Sequence, residues 1–229
     1  MKQVIAAHGW AGDASVWSFW QRAFEAAGWQ WRSVDRGYGT EDCIQPSWSE
    51  LSQKRLLICH SLGPHLLPPS TLAAADAIVL LGSFAVFVPA GAAGRRQTIA
   101  LRGMATRLGT EEEGEMLRTF LQRCAAPSPP TALPPHPVLN QLSDAGRERL
   151  RDDLHLLRDC NDLPVGWPAQ VRVLVVQGEQ DAIVNAESQR QLIERLRGQP
   201  TDLIRLPQQG HALITPAVLK RVLDWVERA

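Results

Sequence analysis

The sequence predicts an α/β protein: a mostly parallel central sheet of about six strands, helices on both of its faces, and an inserted helical lid. Three observations carry this expectation. Short runs of Val, Ile and Leu recur along the chain, each bounded by Gly, Ser or charge, as strands buried on both faces require. Helical spacings lie between those runs, so strand and helix alternate. The alternation lapses between about residues 84 and 168, where amphipathic helices follow one another around a Pro-rich piece.

The first strand falls at 4–7, and Trp17, Trp20 and Phe24 then mark one helical face at i, i+3, i+7, ended by Gly28. Residues 31–34 form a weaker strand, followed by the runs at 56–59 and 77–81. Pro68 is expected to stop the helix after the third strand near Leu67. In the insertion, Leu150, Leu154 and Leu157 share a face, with Arg147, Arg151 and Arg158 along a neighbouring stripe. The Pro-rich stretch from 125 to 137 reads as a loop within the lid. The run at 171–176, a helix marked by Leu192, Ile193 and Leu196, a weak strand at 203–206 and a final helix from Val218 to Val226 complete the alternation. The expected organisation is a core of 1–84 with 168–229 and a lid of 85–167.

Charge and cysteine content narrow the function classes. Twenty-four Lys and Arg balance twenty-four Asp and Glu, so no overall field draws the protein to nucleic acid or anionic lipid. No apolar run approaches the roughly eighteen residues of a membrane span, and the run at the amino end is too short for a signal peptide. A soluble, cytoplasmic monomer is expected. Cys43, Cys59, Cys124 and Cys160 are scattered, without a Cys-x-x-Cys pair, and read as free thiols. No His or carboxylate pair has the spacing of a metal site, and neither metal nor cofactor is expected.

The most informative segment is Leu56-Leu57-Ile58-Cys59-His60-Ser61-Leu62-Gly63, an apolar strand running into His-Ser-x-Gly. Small residues two before and two after a serine let the backbone turn sharply from strand to helix, which raises the hydroxyl above the sheet. Cys59 takes the place of the usual first glycine. Serine at its free pKa is a poor nucleophile and needs a base oriented by a carboxylate. Both occur downstream in the required order, Asp181 just past the strand at 171–176 and His211 on the loop after the next strand. Each residue alone has an ordinary alternative, as turn serine, helix cap or solvated histidine. The order Ser61, Asp181, His211, each after its own strand, makes them the candidate triad.

His8-Gly9-Trp10 follows the first strand. Gly9 lets the backbone approach a substrate, and the Trp10 N–H is expected to form an oxyanion hole with that of Leu62. His8 reads as structural. His60 reads as either part of an acyl pocket or packing.

Taken together, these segments resemble the α/β-hydrolase family, and within it the esterases that demethylate pimeloyl-acyl carrier protein methyl ester in biotin synthesis. The resemblance rests on His8-Gly9-Trp10 with Val16-Trp17, Asp35 with Gly37-Tyr38-Gly39, His60-Ser61-Leu62-Gly63, Gly178-Glu179-Gln180-Asp181 with Val184, and Gly210-His211-Ala212 with Pro216. It touches about a fifth of the chain, in the family's order. Cys59-His60 stands where those esterases usually have Gly-Trp, and Pro64, Pro68 and Pro69 shorten the following helix. The resemblance implies a serine carboxylesterase acting through an acyl-enzyme on Ser61. It also implies an acyl chain lying under the lid along Trp10, His60, Phe84 and Phe87, and an acyl carrier protein as partner.

Arg95, Arg96, Arg102 and Arg107 occur between Phe84 and Thr110 without an acidic residue. They are candidates for docking an acidic carrier or a carboxylated acyl group. The alternative is that Glu111, Glu112, Glu113 and Glu115 fold back and neutralise them. A general short-chain carboxylesterase or thioesterase, a carbon–carbon bond hydrolase and a hydrolase-fold ligand receptor are the other functions compatible with the same residues.

Overall fold

Continuous burial of β-branched and aliphatic residues organises the chain into one sheet. The computed structural model describes residues 1–39, 42–134 and 136–228; Pro135, in the Pro-rich stretch of the sequence, lies outside them. Six strands, β1 (Lys2–Ala7), β2 (Trp29–Ser33), β3 (Lys54–His60), β4 (Ala77–Leu81), β5 (Arg172–Gly178) and β6 (Thr201–Leu206), lie in the order β2-β1-β3-β4-β5-β6. All five pairings are parallel. Parallel neighbours need crossovers, and helices supply most of them. The four inner strands are apolar and buried almost throughout because both of their faces are covered. The edge strands alternate or are half exposed, which explains their weaker sequence signal.

Strand alternation sends side chains to two cores. On one face Val4, Ala6, Leu56, Ile58, Val79, Leu81, Leu174 and Val176 meet α1 (Ser18–Ala26) and α7 (Pro216–Glu227). The aromatic face of α1 contributes Trp17, Trp20 and Phe24, and the turn at Gly28, with φ +78°, ends that helix. On the other face Ile5, Leu57, Cys59, Ile78, Leu80, Val173 and Val175 meet α2 (Pro69–Ala73) and α6 (Ala186–Arg195). Pro68 ends the preceding 3-10 turn, Gly63–Leu66, and Pro69 opens α2.

Between β4 and β5 the chain forms α3 (Gly91–Arg107), α4 (Glu113–Ala125) and α5 (Asp144–Asp159). A third apolar cluster joins them to the sheet's C-terminal rim through Trp10, Tyr38, Leu62, Phe84 and Phe87. The helix α5 is fixed to the core by a buried polar contact. Asp153 accepts two hydrogen bonds from Arg36, both 2.8 Å, and one of 2.6 Å from the Tyr38 hydroxyl. The paired carboxylate of Asp153 holds the Arg36 guanidinium above its ordinary pKa. At the start of α5 there is no room for a side chain at Gly146, where a Cβ would stand 1.8 Å from the Tyr38 carbonyl oxygen. Among the described residues no helix is long and apolar enough to cross a membrane.

Candidate active site

Ser61 follows the last residue of β3 and precedes the 3-10 turn that begins at Gly63. Its φ is +55°, in the left-handed region, a conformation that costs a residue with a Cβ about 1–2 kcal/mol. The surroundings hold it there: the Ser61 N–H donates to the Leu81 carbonyl at 2.9 Å. Position 63 accepts only glycine, since a Cβ would lie 2.5 Å from the Ala7 carbonyl oxygen. The loop after β1 passes equally close, for a Cβ on Gly9 would sit 2.8 Å from Ser61 Cβ and 3.3 Å from its Oγ. Cys59, two residues before the serine, points into the core below, and burial pushes its thiol pKa upward.

The Asp181 carboxylate is fully bonded. Oδ1 accepts the N–H groups of Ile183 and Val184, both at 2.8 Å, and Oδ2 accepts from His211 Nδ1 at 2.8 Å. Burial opposes its charge, but the imidazole and the two backbone donors outweigh burial and leave its pKa below the ordinary carboxylate range. Because an ionised carboxylate only accepts, Nδ1 of His211 is the donor in that bond and Nε2 is the nitrogen left for other partners. The two side chains are 3% and 0% exposed. Gly82, with φ +55°, ends β4 beneath the imidazole, where a Cβ would stand 3.3 Å from Nδ1. Gly210 lies against the end of α4, its Cβ direction meeting the Ala126 carbonyl oxygen at 1.8 Å.

His60 has a further role that the sequence did not indicate. Its ring lies 4.8 Å from that of His211, and its Nε2–H donates to the His211 backbone carbonyl at 3.0 Å. Burial, reinforced by the neighbouring imidazole, pushes the His60 pKa down to about 3, so the ring is neutral near neutral pH. His8 is structural, as expected: Nδ1–H donates to the Gly9 carbonyl at 2.8 Å, and Nε2 accepts the Arg36 N–H at 3.1 Å. Among the described residues, the N–H groups of Trp10 and Leu62 donate to no protein acceptor.

Two cavities meet at Ser61. The larger, about 330 Å³, runs under the lid along Trp10, Phe87, Leu101, Met104, Phe120 and Leu157, with Arg96, Gln97, Arg123 and Asn185 among its polar lining. The smaller, about 100 Å³, is lined by Gly9, His60, His211, Leu121, Cys124 and His136. Trp10 borders both and is fixed by its indole N–H donating to Leu150 O at 2.9 Å and by an edge contact with Phe120 at 4.7 Å between ring centroids. Phe84 requires a correction. It lines neither cavity but lies behind Phe87, stacked on His65, whose ring N–H donates to the Phe84 carbonyl at 2.9 Å. Phe120, Arg123 and His136 were missed; helical periodicity marks Phe120 as apolar, but nothing in the sequence points Arg123 or His136 inward.

The four arginines noted in the sequence separate. Arg96 lines the larger cavity, Arg107 pairs with Glu112 at 2.7 Å, and Arg95 and Arg102 are exposed on α3 beside Ile99. The pairing of Arg107 corrects its assignment as a free docking cation. Glu113 and Glu115 bind Arg147 and Arg118 rather than the α3 arginines.

Solved structures share this fold. An esterase from Exiguobacterium antarcticum superposes with a TM-score of 0.76 at 18% identity, covering 99% of this chain and 92% of that one. The chain has the α/β-hydrolase fold. The enol-lactonase from Burkholderia xenovorans matches this chain with a TM-score of 0.69 at 17% identity, over 99% and 91% of the two chains. MenH from S. aureus matches with a TM-score of 0.63 at 13% identity, over 99% and 94%. No protein-family model and no curated protein sequence matches the chain. Neighbours that include esterases and a lactonase establish the scaffold, and the reaction has to be argued from the site.

Proposed function

We propose that the protein is a serine hydrolase of carboxylic esters. The observation that carries this reading is the His211 Nδ1–Asp181 Oδ2 hydrogen bond of 2.8 Å, with His211 lining the same cavity as a serine on a left-handed turn. Nε2 of His211 takes the Ser61 proton as Oγ adds to the ester carbonyl carbon, and Asp181 stabilises the resulting imidazolium. The N–H groups of Trp10 and Leu62, free of protein acceptors, are available to the oxyanion. Collapse breaks the bond to the alcohol, which leaves with the proton from His211. Water then adds to the acyl-enzyme by the same route and releases the acid and Ser61.

The imidazole has to touch the departing oxygen, so the alcohol leaves on its side of Ser61. His211 lines the small cavity and not the large one. This assigns about 100 Å³ to the alcohol and about 330 Å³ to the acyl chain, a division that favours methyl and other small-alcohol esters of extended acyl groups. The finer reading, suggested by the sequence resemblance, is the methyl ester of pimeloyl-acyl carrier protein, cleaved by a cytoplasmic monomer. Its support is the small alcohol cavity, together with a groove between α3 and α4 that continues the acyl cleft outward past Met104, Phe120 and Arg123. Arg95 and Arg102, exposed on α3, are the cations left for an acidic carrier.

A biotin auxotroph lacking its own demethylating esterase tests the finer reading. Growth with the wild-type gene and none with Ser61→Ala supports it. If neither gene gives growth while the purified protein cleaves model methyl esters, the broader esterase reading stands and the biotin substrate falls. Failure of a fluorophosphonate to label Ser61 removes both.

A further inference from the structure

The acyl cleft is apolar over most of its wall, yet two cations border it from different helices, Arg96 on α3 and Arg123 on α4. Three lid arginines find carboxylates, Arg107 with Glu112, Arg118 with Glu115 and Arg147 with Glu113, while the exposed Arg95 and Arg102 lie outside the cleft wall. Arg96 and Arg123 have no ion-pair partner among the described residues. Arg123 is oriented by one bond, Nη2 donating to the Ala182 carbonyl at 2.8 Å, which leaves its other N–H groups unused. Among the described residues, the only acidic one on the cleft wall is Asp181, and both of its oxygens are already taken by His211 and by the Ile183 and Val184 N–H groups. Gln97 and Asn185, bonded to each other at 2.8 Å, add neutral polar surface. Such a wall is complementary to a chain that is apolar along its length and negative at its end.

We propose that the acyl group carries a carboxylate at the end remote from the scissile ester, so that the preferred substrates are half-esters of dicarboxylic acids. Arg96 and Arg123 are the residues that select the carboxylate. This inference rests on the serine-hydrolase reading and competes with the carrier-bound substrate, whose acyl group ends in a neutral thioester where a half-ester ends in a carboxylate. A guanidinium presents paired donors to a carboxylate, and two of them from separate helices close on it without crowding the apolar wall. Both arginines are solvent-exposed, so the selectivity is modest and sensitive to salt, about fivefold for each arginine at low ionic strength.

The test compares kcat/KM for monomethyl suberate and methyl octanoate, which have the same chain length and differ in the terminal group. The wild-type protein is expected to favour the half-ester by about tenfold or more, a ratio that falls as salt is added. Arg96→Gln and Arg123→Gln each lower the ratio, and the double variant brings it close to one. Arg118→Gln, which removes the same charge from α4 outside the cleft, keeps the wild-type ratio. Arg96→Glu turns the preference towards a methyl ester with a terminal ammonium group, a reversal that loss of packing does not produce. A wild-type ratio of one or less, a ratio unchanged in the double variant, or an equal fall in Arg118→Gln overturns the inference while leaving the esterase reading intact. Absence of fluorophosphonate labelling at Ser61 instead removes the hydrolase reading and this inference with it.

Discussion

The loops at the rim of the sheet and the lid helices above them border the same cavities, but they are built differently. At the rim, Ser61, Asp181 and His211 are held by backbone: an N–H to Leu81, two N–H groups at Asp181 and the His211 carbonyl bonded by His60. In the lid, position depends on side chains, and unequally. The helix α5 buries Leu150, Leu154, Leu157 and the Asp153 carboxylate, whereas the longer α3 buries only Gly94 and Leu101. The difference separates two properties. In the proposed hydrolase, rim geometry determines whether an ester is cleaved, while α3 and α4 bear on which ester is chosen.

The sharpest way to break this division is at the rim. Ser61→Ala or His211→Ala is expected to lower kcat by about 10⁴- to 10⁶-fold, and Asp181→Asn by about 10⁴-fold, on any ester the protein cleaves. Steady-state kinetics on a model methyl ester measures this, with circular dichroism to establish that the fold persists. A loss below tenfold in any of the three contradicts the assigned roles.

Next in size is the attachment of α5. Asp153→Ala leaves Arg36 and the Tyr38 hydroxyl without their buried acceptor, and urea denaturation should register a loss of about 3 kcal/mol. That is the lower end for a broken buried pair, because the Arg36 side chain is 27% exposed. An unchanged midpoint would mean that the Asp153 contact adds nothing to the attachment of α5.

His60 sharpens the comparison through pH. Its folded-state pKa of about 3 lies below the ordinary 6.5, so the unfolded chain binds the proton first as pH falls. The stability that depends on neutral His60 is complete above about 6.5 and is lost progressively towards about 3. His60→Gln should therefore flatten the acid limb of a stability profile between those values, measured by thermal melts at a series of pH. It should also lower kcat more than it raises KM, because the carbonyl of His211 loses its defined donor. The smallest effect belongs to α3. Ile99 is 70% exposed there, and Ile99→Ser should shift stability by no more than about 0.5 kcal/mol.

The parts of the molecule that the sequence made legible share a physical cause. Inner parallel strands must be apolar on both faces, so β1, β3, β4 and β5 stood out as continuous runs, and the reactive candidates followed directly after three of the six strands. Contacts between distant segments left no such trace. His60 and the His211 carbonyl are 151 residues apart, and nothing around position 60 announces the bond. On α5 the arginine stripe drew the eye, while Asp153 lay unnoticed within the face of Leu150, Leu154 and Leu157, where a carboxylate is tolerated only because Arg36 and Tyr38 meet it. Phe84 and Phe87 show a related limit. The family resemblance placed both along the acyl chain, but only the backbone path decides which ring faces the void and which lies behind it.

The turn bearing the imidazole and the residue that follows α4 touch where Gly210 meets Ala126, with no space for even one added carbon between them. Over generations of sequence drift, the cover and the base cannot diverge separately at that seam. A lineage that reshapes the end of α4 to admit a new substrate has to carry position 210 with it, and a side chain gained at 210 has to be matched by retreat of the cover.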